Sequence, residues 1–79
     1  MFATQLYCNH FYLCDVRVHR GSRGELELIT TPSRREVLPG SEDVYHVRHQ
    51  GRSFRVYILD NFSFGSETRL QIEVGPQEP

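Results

Sequence analysis

Apolar and polar positions alternate along most of this chain with a period of two. From Leu6 the even positions are Leu6, Cys8, His10, Tyr12, Cys14, Val16 and Val18, while later odd positions are Asp15, Arg17 and His19. Successive side chains of an extended strand point to opposite faces, so this alternation predicts a half-buried strand. A helix over residues 2–14 competes, because Phe2, Leu6 and His10 fall four apart. Its Thr, Tyr, Cys, Asn, His and Phe content is poor helix material, and strand is the favoured reading.

Two hairpins follow from cross-strand pairing. In "DVRVHRGSRGELELI" a loop at Gly21-Ser22-Arg23 sets Val18 against Leu26 and Val16 against Leu28. The other side then sets Arg17 against Glu27 and His19 against Glu25, which gives apolar pairs inside and opposite charges outside. In "VYHVRHQGRSFRVYIL" a two-residue loop at Gln50-Gly51 sets Val47 against Phe54 and Tyr45 against Val56 on the core side. Its outer side carries His46 opposite Arg55, Arg48 opposite Ser53 and Val44 opposite Tyr57. His49 and Arg52 flank the turn. No carboxylate answers these Arg residues; Glu42, Asp43 and Asp60 sit at the far end.

The connection "TTPSRREVLPGSED" holds at most a short strand at Glu36–Leu38 and a turn at Pro39-Gly40. "DNFSFGSE" reads as a loop, with Phe62 and Phe64 on one side of it. These two rings either cap the core or project as anchors for a partner. "TRLQIEV" is a last strand with Leu70, Ile72 and Val74 inward. The expected architecture is all-β: a small antiparallel sheet or partly closed barrel of five to six short strands built from hairpins. Residues 1–75 form one domain, and 76–79 a frayed tail.

Composition bounds the function. At 79 residues the chain buries only about 60% of the surface it exposes unfolded. It is 38% hydrophobic and 24% charged with a net charge of −1, a globular balance and not that of a strongly basic nucleic-acid coat. No apolar run approaches the length of a membrane span, and "MFATQLYCNHFYL" lacks the features of a signal peptide. A cytoplasmic protein is the resulting expectation. All nine basic residues are Arg, whose planar forks suit interfaces and phosphates better than Lys does. The two cysteines, Cys8 and Cys14, are too few for a disulfide scaffold and read as buried or half-buried thiols.

Candidate chemistry is thin. Cys8, His10, Cys14 and His19 lack the spacing of a structural zinc site, since five residues separate the two thiols. "RGSRG" joins two strands and precedes no helix, so it is a turn and not a phosphate loop. A metal-free ribonuclease built on His46, Arg48, His49 and Tyr57 has no framing motif. The expectation is therefore no enzyme, no cofactor and no metal. What is left is a surface: His46, Arg48, Arg55 and Tyr57, with His49 and Arg52 at the tip and Phe62 and Phe64 as a second aromatic element. Arg with aromatics suits a protein interface, and equally the backbone and bases of single-stranded nucleic acid.

At the level of class, this small near-neutral β domain without linker, cofactor motif or catalytic frame resembles the short single-domain inhibitors of phages and mobile elements, such as anti-CRISPR proteins. The resemblance covers size and the lack of chemistry along the whole chain, and no family residue carries over. It implies stoichiometric, non-enzymatic occlusion of a host nucleoprotein complex or its nucleic-acid channel, and exposed edge strands allow a homodimer as well as a monomer. A barrel that binds single-stranded nucleic acid directly is the first alternative, and an antitoxin or immunity protein the second.

Overall fold

The computed structural model describes residues 2–31, 34 and 36–77. It contains six strands: β1 (Phe2–Cys8), β2 (Phe11–Arg20), β3 (Leu26–Thr30), β4 (Tyr45–His49), β5 (Arg52–Phe64) and β6 (Glu67–Gln77). All neighbours are antiparallel, and the order β1-β2-β3-β6-β5-β4 closes on itself through a β1–β4 ladder. The expected all-β fold is thus a closed six-stranded barrel, and no helix is present among the described residues.

The continuous strand expected through Val18 is in fact two. Asn9 and His10 adopt φ of 51° and 71°, a two-residue turn that brings β2 back along β1. Asn and His are among the few non-glycine residues that take this left-handed conformation readily. The Asn9 side chain then fixes the turn to the 31–44 connection: its Oδ1 accepts the N–H of Val44 at 2.9 Å, and its amide donates to Asp43 at 2.9 Å. Val44 is therefore held by Asn9 and does not face Tyr57, and the ladder with β5 starts at Tyr45 opposite Val56.

The β4–β5 hairpin has the expected register throughout, from Tyr45–Val56 to His49–Arg52. Gln50 and Gly51, with φ of 53° and 75°, form the two-residue turn. Its paired positive φ values match the right-handed twist of the strands. The β2–β3 hairpin is displaced by two residues from its expected pairing: Val18 faces Leu28 and His19 faces Glu27, while Arg17 faces Ile29. The cause is a longer loop, closed by Gly21 N–H to the Glu25 carbonyl at 2.7 Å. A shift of two keeps the same side chains inward, so the core survives the error.

Three bulges interrupt the ladders: one lies in β6, where Phe54 pairs with Gln77 but Val56 with Val74, and the other two re-aim the faces. Leu6 pairs with Cys14 but Tyr7 with Tyr12, which leaves Leu13 as an extra residue in β2. Ile58 pairs with Ile72 but Asp60 with Gln71, which leaves Leu59 extra in β5. Past such a bulge the parity of the strand inverts. Asn61 and Ser63 consequently lie opposite buried Leu70 and Thr68, and Phe62 and Phe64 turn outward. "DNFSFGSE" is thus mostly strand and only Gly65-Ser66 is turn. The expected tail also joins the sheet, since Gln77 pairs with Phe54; Glu78 and Pro79 lie outside the described residues.

Inside the barrel Leu6, Cys14, Val16, Val18, Leu28, Val47, Val56, Ile58, Leu70 and Ile72 pack together. One end, where the Asn9-His10 and Gly65-Ser66 turns lie, is plugged by the connection. Instead of the expected short strand, Glu36 to Leu38 follow a turn that drops Val37 fully into the core. The Asn61 amide holds this plug by donating to the carbonyls of Val37 and, at 3.2 Å, Arg34. The Arg34 N–H donates to Thr68 Oγ1 at 3.0 Å, and its guanidinium reaches the Leu13 carbonyl.

Asn61→Ala is expected to lower unfolding free energy by about 2 kcal/mol in urea denaturation, because it orphans the carbonyls of the plug. Val56→Asp, at a site only 2% exposed, should leave no cooperative transition, since an unpaired charge there exceeds a stability on the order of 5 kcal/mol. A folded Val56→Asp protein would contradict the β4–β5 register.

Candidate binding surface

The outside of the barrel has two unlike halves. On β2, β3 and β6 the side chains of Arg17, His19, Glu27, Glu67 and Arg69 answer one another. Arg17 meets Glu67 at 3.2 Å, Arg69 lies 3.7 Å from both Glu67 and Glu27, and His19 Nδ1 is 3.5 Å from Glu27. This lattice lies over Ile29, an outward residue buried to 3% between its ladder partners Arg17 and Arg69. Long arginine stems cover apolar surface while their heads stay wet. The expected Arg17–Glu27 and His19–Glu25 pairs are replaced by these contacts.

On β1, β4 and β5 the cations meet rings instead. The Arg48 guanidinium lies 5.5 Å from the centre of the Tyr7 ring, and that of Arg55 lies 4.9 Å from Tyr57. Tyr7 in turn stands edge-on to Tyr12 at 6.1 Å. Among the described residues no carboxylate comes within ion-pair distance of Arg48, Arg52 or Arg55. The nearest acid by register is Glu73, opposite Tyr57. Gly75 lets Tyr57 lie close against β6: a Cβ there would stand 3.0 Å from the ring and 3.3 Å from the Arg55 carbonyl.

The predicted residues separate into three groups. Arg48, Arg55 and Tyr57 form the outer cation and ring set, as expected. His46 faces outward by register but is only 4% exposed, because β1 lies beside it and the His10 ring stacks on it at 5.1 Å. It supports the face from beneath and does not present itself. His49 and Arg52 lie at the far tip, where His49 packs on Phe2 at 4.5 Å.

Phe62 and Phe64, turned out by the Leu59 bulge, are exposed, and so are Tyr57 and Leu59 on the same strand. Arg55, Tyr57, Leu59, Phe62 and Phe64 therefore line the outer side of β5 over about 30 Å at strand rise. Leu38 adds a further exposed apolar side chain, and with Tyr45, Asp43, Arg55 and Tyr57 it borders a groove of about 140 Å³ between the connection and β5. Sequence reasoning missed Tyr7, Leu59 and Leu38. The apolar run Val56–Leu59, with Arg55 before it, breaks the period and was the available sign of a bulge.

Tyr45 sits at the edge of this surface, buried with its phenol beside Cys8. Burial, reinforced by the Cys8 sulfur and by Asp43, pushes it up to about 12. Tyr12 is also raised, because Asp15 accepts its hydroxyl proton at 3.0 Å. Both thiols are free, Cys14 buried and Cys8 half-buried. No group of three or more potential metal ligands occurs among the described residues.

The class these features define is a small closed antiparallel barrel with an arginine and aromatic exterior strip. Comparison with protein-family models, with curated proteins and with solved structures finds no match to this chain.

A folded-state value above the free-chain value means that the unfolded chain releases the Tyr45 proton first. Its contribution to stability is present below pH 10 and is lost as pH climbs to about 12. Tyr45→Phe should flatten that part of the alkaline unfolding curve, followed by circular dichroism; an unchanged curve would contradict the buried phenol.

Proposed function

We propose that this protein is a non-enzymatic binding module that acts by occupying the surface of a protein partner. The docking face is the strip formed by Arg48, Arg55, Tyr57, Leu59, Phe62 and Phe64. One observation carries the reading. Arg17, His19 and Arg69 of β2 and β6 pair with Glu27 and Glu67 on their own face, while Arg48 and Arg55 rest on rings with no carboxylate of the described residues in ion-pair reach. Arginine and tyrosine beside exposed aromatics are the residues that dominate protein interfaces, and a guanidinium held on a ring loses less side-chain freedom on docking. A contiguous exposed apolar strip on a small protein marks such a site.

In its most specific form the proposal is a stoichiometric inhibitor in the cytoplasm that blocks a nucleoprotein complex, as the anti-CRISPR-like character of the sequence implies. The same face also supports the alternative of single-stranded nucleic acid binding, since a cation over a ring beside free aromatics provides both phosphate contact and a stacking platform.

The test is capture from a bacterial lysate with tagged protein, with and without nuclease. A discrete protein partner that survives nuclease and moderate salt is expected. Arg48→Glu with Arg55→Glu should reduce its capture at least about tenfold while the circular dichroism spectrum stays unchanged. Phe62→Ser with Phe64→Ser should do the same. Material that disappears wholly on nuclease treatment, with salt-sensitive oligonucleotide affinity, would replace this reading by the nucleic-acid one. Undiminished capture by both folded double variants would remove the strip as the docking face.

A further inference from the structure

The end of the barrel opposite the plug is open, and we infer that it binds a small molecule with an apolar body and a carboxylate head. The opening is a cavity of about 240 Å³ to which all six strands contribute. Val18, Leu28, Val47, Phe54, Ile72 and Val74 make its wall, and Phe2 and Leu26 add to its lining. An apolar cavity of about 150 Å³ already takes benzene, so this one has room for a ring or a medium aliphatic chain. Val74, expected to be a core residue, is 42% exposed because it lines this mouth.

The mouth stays open because the closing ladder is short. β1 and β4 pair only from Leu6–Val47 to Cys8–Tyr45. Nearer the mouth the Thr4 hydroxyl donates to the Arg48 carbonyl, and beyond it the Phe2 ring leans on His49. Side chains, not backbone hydrogen bonds, set the width there. A well framed by six strands suits a compact ligand, and mouths of small barrels are recurrent sites for such molecules.

The head group follows from charge. Arg20 and His49 are the ionisable residues lining the cavity, and both are exposed. No carboxylate pairs with Arg20 among the described residues. Glu25, on the adjoining loop, accepts the Arg23 N–H at 3.0 Å, and Glu27 is engaged by His19 and Arg69. An unanswered guanidinium at the edge of an apolar well matches a carboxylate, which its fork binds bidentately. This site lies apart from the strip on β5 and stands whether or not that strip docks a partner.

The probes are octanoate and octanol, titrated into labelled protein and followed by amide chemical shifts. Octanoate is expected to shift the amides of Val18, Leu28 and Ile72 saturably, and octanol to bind at least about tenfold more weakly. Arg20→Gln with His49→Gln should weaken octanoate about tenfold and leave octanol unchanged. Val74→Trp, or Leu26→Trp should the first fail to fold, should exclude both probes by filling the mouth. Absence of saturable shifts with octanoate would overturn the site. Octanol binding as tightly as octanoate, or a charge variant with unaltered octanoate affinity, would overturn the carboxylate assignment.

Discussion

Three residue pairs hold this barrel shut. Leu6, Tyr7 and Cys8 of β1 meet Val47, His46 and Tyr45 of β4, and without them the six strands would be an open sheet with two edges. The closure is what puts Leu6 fully inside, because β4 brings Val47 across to meet it. It also sets Tyr7 beside β4, within reach of the Arg48 guanidinium, and sets β1 against His46. Its brevity matters as much as its presence, because the seam ends before the strands do and leaves one end of the barrel open.

The two ends accordingly do different work. At the plugged end a single asparagine, turned inward by a bulge, supplies the donors that the carbonyls of the connection need, and Val37 fills the remaining space. At the other end no segment of the described chain performs that role, and the interior side chains line a cavity. The exterior shows the same division of labour. One half pairs Arg17, His19 and Arg69 with Glu27 and Glu67, and leaves Arg20 unanswered among the described residues at the open mouth. The other half sets its cations on ring faces, beside exposed Tyr57, Leu59, Phe62 and Phe64. A surface of the second kind gains most when water is removed from it, which is the physical basis for reading it as a docking face.

Much of the fold was legible in the alternation of side chains, and what was not has identifiable causes. The β4–β5 register was readable because a Gln-Gly loop of two residues leaves no freedom in the pairing. The β2–β3 register was not, because a Gly-rich loop can be lengthened in steps of two without moving any side chain to the wrong face. The Asn9-His10 turn was hidden because two departures cancel: the turn sets Cys8 opposite Phe11 and reverses the parity, and the Leu13 bulge restores it, so Cys14, Val16 and Val18 fall back in phase with Leu6. Leu59 had the largest consequence. One extra residue in β5 reverses every position beyond it, and the apolar run Val56–Leu59 signals the break without fixing which residue is the extra one. Arg48, Arg55 and Tyr57 were found because they precede that bulge. His46 was misjudged because the neighbour that buries it, β1, is distant in sequence.

Backbone nuclear Overhauser contacts across the β1–β4 seam test the central claim most directly. The closed barrel predicts contacts between Tyr7 and His46 and between Leu6 and Val47, with slow amide exchange along β4. Contacts from β4 to β5 alone, with fast exchange on the other edge of β4, would show an open sheet and contradict the closure on which both proposed surfaces depend.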